Sequence, residues 1–343
     1  MTDTQTPPPR RPLATWTGVG SWLYLFGVVL MAGLMHGAGD TTWYLTLLTF
    51  GPRWVVLVPG VLLGLIAVVI RRKALIPIVL GLVVGVGPVT GFCFPWRGAL
   101  STPPQALLTL RVVSVNVDRG TDLPLLFQML DEVDPDVIAF QEGAFIAPVL
   151  AELKGKYKVS GTHDTFIATR YRIIERVNAP HGQGRKHPPA VRCNLETPAG
   201  IIHVHCLHLM TLRDGFEAVI RRRLQGRGEL ERVTAIRNQE SDLVAKFAHE
   251  VDGPALVLGD FNMVGESSIF HRDWGNWQDA FAVQGLGLGA TFFTRHVGLR
   301  IDHILADSMH WRIKSCRVGP DLHGQHRPLI AELDLLQAPE QQR

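Results

Sequence analysis

Eight polar side chains in this 343-residue chain stand where apolar runs stop. Asn116 and Asp118 close the β-branched run LRVVSVNV, and Glu142 follows the short run VIAF and its Gln141. His208 ends HCLH, Asp260 and Asn262 end LVLGDFN, Asp302 opens DHIL, and His326 precedes PLIAEL. Taken singly, each has an ordinary explanation, because Asn and Asp favour turns and a lone histidine or aspartate is commonly a satisfied structural group. Together they supply carboxylate and amide oxygens, the ligands that a hard divalent ion such as Mg2+ prefers. The histidines add groups that exchange protons near neutrality, and a neighbouring carboxylate fixes the tautomer of an imidazole and strengthens its hold on a proton. The set has the parts for acid–base chemistry around a cation.

For these residues to meet, several strand ends must share one rim. The runs at 110–117, 137–140, 165–169, 173–178, 190–196, 201–207, 255–258, 300–306 and 329–335 predict strands, while 123–133 and 229–250 predict helices. Several runs lie close enough to pair as hairpins. That excludes a purely parallel doubly wound sheet and leaves a mixed α/β or α+β domain. No internal repeat is evident.

Charge is spread unevenly along the chain. Between Pro12 and Trp96 only Asp40, Arg53, Arg71, Arg72 and Lys73 are charged, out of 34 Lys or Arg and 31 Asp or Glu in all. Trp16 to Met35, Trp54 to Ile70 and Ala74 to Phe94 each have about the length needed to cross a bilayer's hydrocarbon core. A cleavable signal peptide would explain the first run alone, so three spans are expected. A buried helical bundle is disfavoured, because globular helices of this length normally keep a polar face. Arg10 and Arg11 precede the first span and Arg71 to Lys73 separate the second from the third, which puts both on the cytoplasmic side. The large domain then lies outside the cell membrane.

The expected organisation is a cytoplasmic tail (1–15), three transmembrane helices (16–95), a linker (96–107), a globular domain (108–336) and a tail (337–343). Pro103-Pro104 should stiffen the linker locally. Its dozen residues reach at most roughly 40 Å and hold the domain near the bilayer. From Arg97 onward the chain has 28 basic and 29 acidic groups, so its formal +3 comes from the membrane segment. Bulk charge gives no argument for counterion-driven binding to nucleic acid.

VNVDRG, IAFQEG, HCLHL, LVLGDFN, RIDHIL and QHRPL occur in the order and approximate spacing of the endonuclease/exonuclease/phosphatase superfamily, which 108–336 resembles throughout. That group includes deoxyribonucleases, apurinic-site endonucleases, inositol-polyphosphate 5-phosphatases and bacterial sphingomyelinases. The resemblance implies an α+β fold, a four-layered α/β/β/α sandwich, here preceded by a three-helix transmembrane segment. It implies phosphoester hydrolysis with Mg2+, or Mn2+ in its place. Glu142 resembles the principal metal ligand, with Asn116 and Asp118 beside it. Asp260 and Asn262 resemble the pair that positions the attacking water and the scissile phosphate. His326 resembles the histidine at the phosphate, held by Asp302, and His208 the second active-site histidine. A cation and an imidazolium would neutralise the charge that builds in the transition state. Whether Asp260 or a histidine takes the water's proton is open. One departure stands out: the usual Ser-Asp-His reads Gly324-Gln325-His326 here, so weaker ion binding or an altered metal preference is expected.

The substrate is expected to be a phosphodiester at the membrane surface. Nucleic acid comes first, supported by Arg221, Arg222, Arg223 and Arg227, which could instead form a solvated loop. A phospholipid or sphingolipid headgroup is the alternative, because a short tether raises the effective concentration of bilayer substrate. A surface binding module that lost turnover at Gln325 is the non-catalytic alternative. His203, His205, Cys206 and His208 do not suit zinc, since alternate strand residues face opposite ways. GLGLG at 285–289 opens no helix and is no dinucleotide fingerprint. Cys193 and Cys206 fall nearly opposite each other in a simple hairpin, as a disulfide or a hydrophobic pair, and Cys93 is placed in the third span.

Overall fold

The computed structural model describes residues 12–96, 105–142, 147–182, 185–294 and 297–337. Both tails and the linker expectation fall mainly outside these residues. The first quarter comprises α1 (Pro12–Ala38), α2 (Trp43–Phe50), α3 (Leu57–Ile70) and α4 (Leu75–Val84). Short 3-10 turns precede the last two and a wider π-helical turn carries α4 on to Val89, so that Pro12–Ala38, Arg53–Ile70 and Arg72–Val89 are each long and apolar enough to cross a membrane. They pack closely because Gly60 and Gly81 leave room for the Tyr24 ring, which a Cβ at either position would strike. Outward, Trp16, Trp22, Phe26, Leu65, Val69 and Val83 stay uncovered, the pattern of helices that are apolar all round.

Two details depart from the sequence reading. The charge-free run Trp43–Phe50, outside the three expected spans, forms a helix of its own, α2, whose Phe50 packs with Leu212, Leu230 and Val233 of the globular domain. Cys93 lies beyond the third apolar helix, where its backbone exchanges hydrogen bonds of 2.8 and 3.0 Å with Gly287.

The domain follows as β1 (Ala106–Asn116), α5 (Leu123–Val133), β2 (Val137–Gln141), α6 (Ala147–Leu153), β3 (Lys158–Gly161), β4 (Thr165–Thr169), β5 (Arg172–Asn178), β6 (Ala190–Thr197) and β7 (Gly200–His208). It continues as α7 (Arg213–Arg222), α8 (Arg227–His249), β8 (Ala255–Asp260), α9 (Ser268–Trp274), β9 (Trp277–Asp279), α10 (Ala280–Gln284), β10 (Phe292–Phe293), β11 (Gly298–Leu299), β12 (Asp302–Asp307), β13 (Trp311–Val318) and β14 (Leu329–Leu336). One six-stranded sheet has the order β13-β14-β1-β2-β4-β3 and the other β5-β6-β7-β8-β12-β9. The pairs β1–β2 and β7–β8 are parallel, and each is joined through helices, as a parallel crossover requires.

Period-2 alternation sorts the side chains into layers. Val112, Val137, Val204 and Leu256 fill the space between the sheets. Val113 and Ile138 turn the other way, onto Leu126 and Met129 of α5. Leu207 and Val257 pack on Val244 and Phe247 of α8. Two sheets with helices outside give the α+β sandwich. The Asp122 carboxylate accepts from the Leu125 amide to start α5, and Asp134 at φ +49° ends it.

The hairpin register corrects the cysteine expectation. Cys193 faces Val204 and Cys206 faces Val191, so the two are diagonal rather than opposite, and both are free thiols. As expected, His203 and His205 face away from Cys206 and His208; His205 meets Phe247 edge-on, while Cys206 enters the inter-sheet core.

Candidate active site

Strand register alone gathers the polar residues at one rim. In β1–β2 Asn116 pairs with Gln141, just before Glu142; in β7–β8 His208 pairs with Asp260; in β8–β12 Asp260 pairs with Asp302. His326 precedes β14, which runs antiparallel to β1 from the same rim. All eight predicted residues lie at this end. Glu142 and Asn262 adopt left-handed backbone, φ +62° and +50°, an uncommon conformation for residues other than glycine. Glu142 directly follows β2, and Asn262 lies two residues after the end of β8.

Asp260 is the hub. Its Oδ1 accepts from the Asn262 amide at 2.8 Å, and its Oδ2 accepts from Asn116 Nδ2 at 3.1 Å. The same Asn116 amide donates to Glu142 Oε1 at 3.3 Å, so one side chain ties together carboxylates from both sheets. Two imidazoles approach Asp260 Oδ2 through Nε2: His208 at 3.7 Å and His326 at 3.8 Å. Each ring is held from behind by a carboxylate, His326 Nδ1 to Asp302 Oδ2 at 3.0 Å and His208 Nδ1 to Asp164 Oδ2 at 2.9 Å.

Burial alone would depress His326, but the charge and hydrogen bond of Asp302, with Asp260 beyond, outweigh it and raise its pKa to about 9. His208 is likewise raised, its burial outweighed by the Asp164 hydrogen bond and by Asp260. The Asp260 carboxyl is raised, by burial first and the Asp302 charge second, against the pull of both histidines. At neutral pH His326 therefore presents an imidazolium N–H toward Asp260, and His208 is shifted in the same direction.

The Endonuclease/Exonuclease/phosphatase family model matches residues 113–326, well over half of the chain. The chain belongs to this family. Its members are phosphoester hydrolases. Solved structures agree on the fold at low identity. A family protein from Bacteroides thetaiotaomicron is 16% identical with a TM-score of 0.50, covering 68% of this chain and 100% of its own. The mannosyl-6-phosphatase of the same organism gives 16% and 0.50, covering 66% of this chain and 100% of its own. A humanized D. rerio TDP2 gives 15% and 0.50, covering 66% and 99%. A comparison with curated protein sequences gave no match.

The donor set suits the divalent metal on which the family's enzymes typically depend. Asn116 Oδ1 is buried without a hydrogen-bond partner among the described residues. Glu142 and Asp118 line one cleft of about 520 Å3 together with Arg213, His323 and Gln325. These are the hard oxygen donors such an ion takes. Asp260, Asp302 and His326 also offer ligand atoms within 4.8 Å of one another. The His326–Asp302 hydrogen bond accounts for that proximity without an ion. Asp118 is partly committed: its carboxylate accepts from the amides of Gly120 at 2.7 Å and Gln325 at 2.6 Å. The side-chain oxygen of Gln325, at the position that departs from the usual aspartate, accepts from Arg213 at 2.9 Å.

Sequence reasoning missed three residues here. Asp164, in the β3–β4 turn, backs His208; nothing in THDT distinguishes it from an ordinary turn. Arg185, from the loop HGQGRKH, reaches the His208 carbonyl at 2.8 Å and lies 3.6 Å from Asp164. Arg213 opens α7 at the cleft, whereas Arg221 and Arg222 end that helix about 13 Å farther along. The basic run is thus the helical tip of an α7–α8 hairpin, not an extended loop.

Proposed function

We propose that this protein is a membrane-anchored, Mg2+-dependent hydrolase of a phosphodiester, with its N-terminus cytoplasmic and its catalytic domain outside. The observation that carries the reading is the convergence of two carboxylate-backed imidazoles on one oxygen of Asp260. His326, with a pKa of about 9, is protonated at neutral pH and not free to act as a base, and His208 is shifted in the same direction. Asp260 is the group left to take the proton of the attacking water, and its raised pKa makes it a better acceptor than an ordinary aspartate. The imidazolium N–H of His326 and of His208 would then face the phosphoryl oxygens and neutralise charge as it develops. Asn262 holds Asp260 in place through its amide. Glu142, with Asp118 and Asn116 Oδ1, would hold the metal, which when bound supplies Lewis-acid neutralisation of the phosphate. Mn2+ would serve in the same ligand set.

For the substrate, nucleic acid remains the first reading, since a strand entering the cleft at Arg213 could follow α7 to Arg221 and Arg222. A lipid headgroup is the second, favoured by the contact between the loop after β8 and the segment joining α1 to α3. The decisive assay is hydrolysis of bis(p-nitrophenyl) phosphate, DNA, RNA and phospholipid vesicles by the full chain in detergent or nanodiscs. Turnover should require Mg2+ or Mn2+ and disappear in Asp260→Ala. Nuclease turnover should fall steeply with salt as phosphate contacts are screened; turnover confined to vesicles would select the lipid reading. Turnover in Asp260→Ala equal to the parent, or none on any of these substrates with either metal, would overturn the hydrolase assignment.

A further inference from the structure

Asp40 is the one carboxylate between Pro12 and Trp96, and it lies in the turn between the first two apolar helices. Its side chain is nevertheless buried, against the globular domain. Oδ1 accepts from Arg237 of α8 at 2.7 Å, and Oδ2 accepts from the Ser267 hydroxyl at 2.6 Å and the Ser268 hydroxyl at 3.2 Å. Arg237 is fully enclosed, with the Phe50 ring of α2 over its guanidinium at 5.1 Å. Its other terminal nitrogen donates to the Asn262 carbonyl at 2.7 Å.

That carbonyl belongs to the left-handed residue that holds Asp260. Asn262 is pinned at three points: its amide on Asp260, its side chain on the Leu209 carbonyl at 2.9 Å, and its own carbonyl on Arg237. A non-glycine residue at positive φ persists only when its surroundings over-determine it. The last of the three points is made by a buried cation, and its charge is compensated by Asp40 from the membrane segment.

We propose that Asp40 is a positioning residue of the catalytic corner: through Arg237 it holds the backbone turn at Asn262 that aims Asp260. Docking of the apolar helices and assembly of the corner are then one event. The inference rests on the hydrolase reading for its kinetic consequence, but its structural consequence is independent of turnover.

The test uses the full chain in nanodiscs, with hydrogen exchange over residues 258–265 and steady-state hydrolysis of bis(p-nitrophenyl) phosphate in Mg2+. Asp40→Asn keeps the volume and removes the charge. Arg237→Lys keeps the charge, while a single ammonium no longer matches the two-sided grip of the guanidinium. Arg53→Met cuts a different ion pair between the same two parts, Arg53 to Glu266 at 2.5 Å. Asp40→Asn and Arg237→Lys should each speed exchange at 258–265 and lower kcat by at least about tenfold, with KM within about twofold, the signature of lost alignment. Arg53→Met should leave both readouts near those of the parent. Unchanged exchange in the first two variants, or equal effects of all three, would overturn the proposal and leave Asp40 a docking contact only. Absence of parental hydrolysis would strike the hydrolase reading, while the exchange pattern would still decide this one.

Discussion

Replacing Asp302 by Asn tests the electrostatic core of the site. His326 is 5% exposed, so without a counter-charge burial would hold it below the ordinary histidine value of about 6.5. Asp302 is the first of the groups that overcome burial, and the imidazole titrates at about 9. Moving from about 6.5 to about 9 corresponds to roughly 3 kcal/mol in favour of the protonated ring. At pH 7.5 the parent ring is then about 97% imidazolium. In Asp302→Asn the largest counter-charge is gone and only Asp260 and Glu142 still oppose burial, so the pKa falls from about 9 toward the ordinary value of about 6.5, at which the fraction would be about 10%. If the imidazolium is the working form, kcat/KM at pH 7.5 falls by up to about tenfold, and part of the loss returns on lowering the pH toward 6. The alkaline limb of the pH–rate profile should move from near 9 toward 6.5. The stability sign agrees: a raised histidine contributes fully below its unfolded value and loses that contribution as the pH rises through about 9. A variant whose alkaline limb stays near 9 would refute the reasoning.

Glu142→Gln should raise the Mg2+ concentration for half-maximal rate about tenfold or more and be partly rescued by excess Mg2+; a rate loss insensitive to the metal would contradict its role as ligand. Gln325→Asp should do the opposite, shifting the Mg2+ titration to lower concentration, and an unchanged curve would count against the importance of that substitution. His205 is fully buried, with Nδ1 on the Leu256 carbonyl and Nε2 without a partner, and burial depresses its pKa to about 3. Its contribution is present above the unfolded value of about 6.5 and lost as the pH falls, by about 2 kcal/mol between pH 6.5 and 5. Urea unfolding of His205→Gln should therefore show a shallower acid slope than the parent; parallel slopes would dismiss it. A reporter fused at Lys73 should be active only in the cytoplasm and one fused after Leu336 only outside; the reverse pattern would invert the topology.

The rim at which the eight residues gather was legible because strand ends carry their own signature: apolar runs broken by Asn, Asp, Glu or His. The layers were legible for the same reason, since Val112 and Val113 must face opposite ways. Edge elements were harder. β13 alternates Trp311 and Ile313 with Arg312 and Lys314, so its half-solvated face hides a strand among charges. α7 was obscured by Gly215 and by arginines that keep their heads in water. Pairings that depend on three-dimensional closure, such as Asp164 behind His208, have no local sequence signal. Asp40 did have one: a lone carboxylate in an otherwise acid-free stretch needs a partner, and that partner lay nearly two hundred residues away.

The contacts between the apolar helices and the domain also bear on how the enzyme searches for substrate. Arg237 on Asp40, Arg53 on Glu266 and Gly287 on Cys93 grip the domain at three separate places. Reach is thus set by these direct contacts and not by the number of residues in the linker. With the helices in a bilayer, the cleft has one standing height and one orientation, and it cannot sweep the volume a loose tether would allow. For a bilayer-borne phosphoester, encounters become a lateral, two-dimensional process governed by surface density. A soluble polymer must instead diffuse to a stationary mouth.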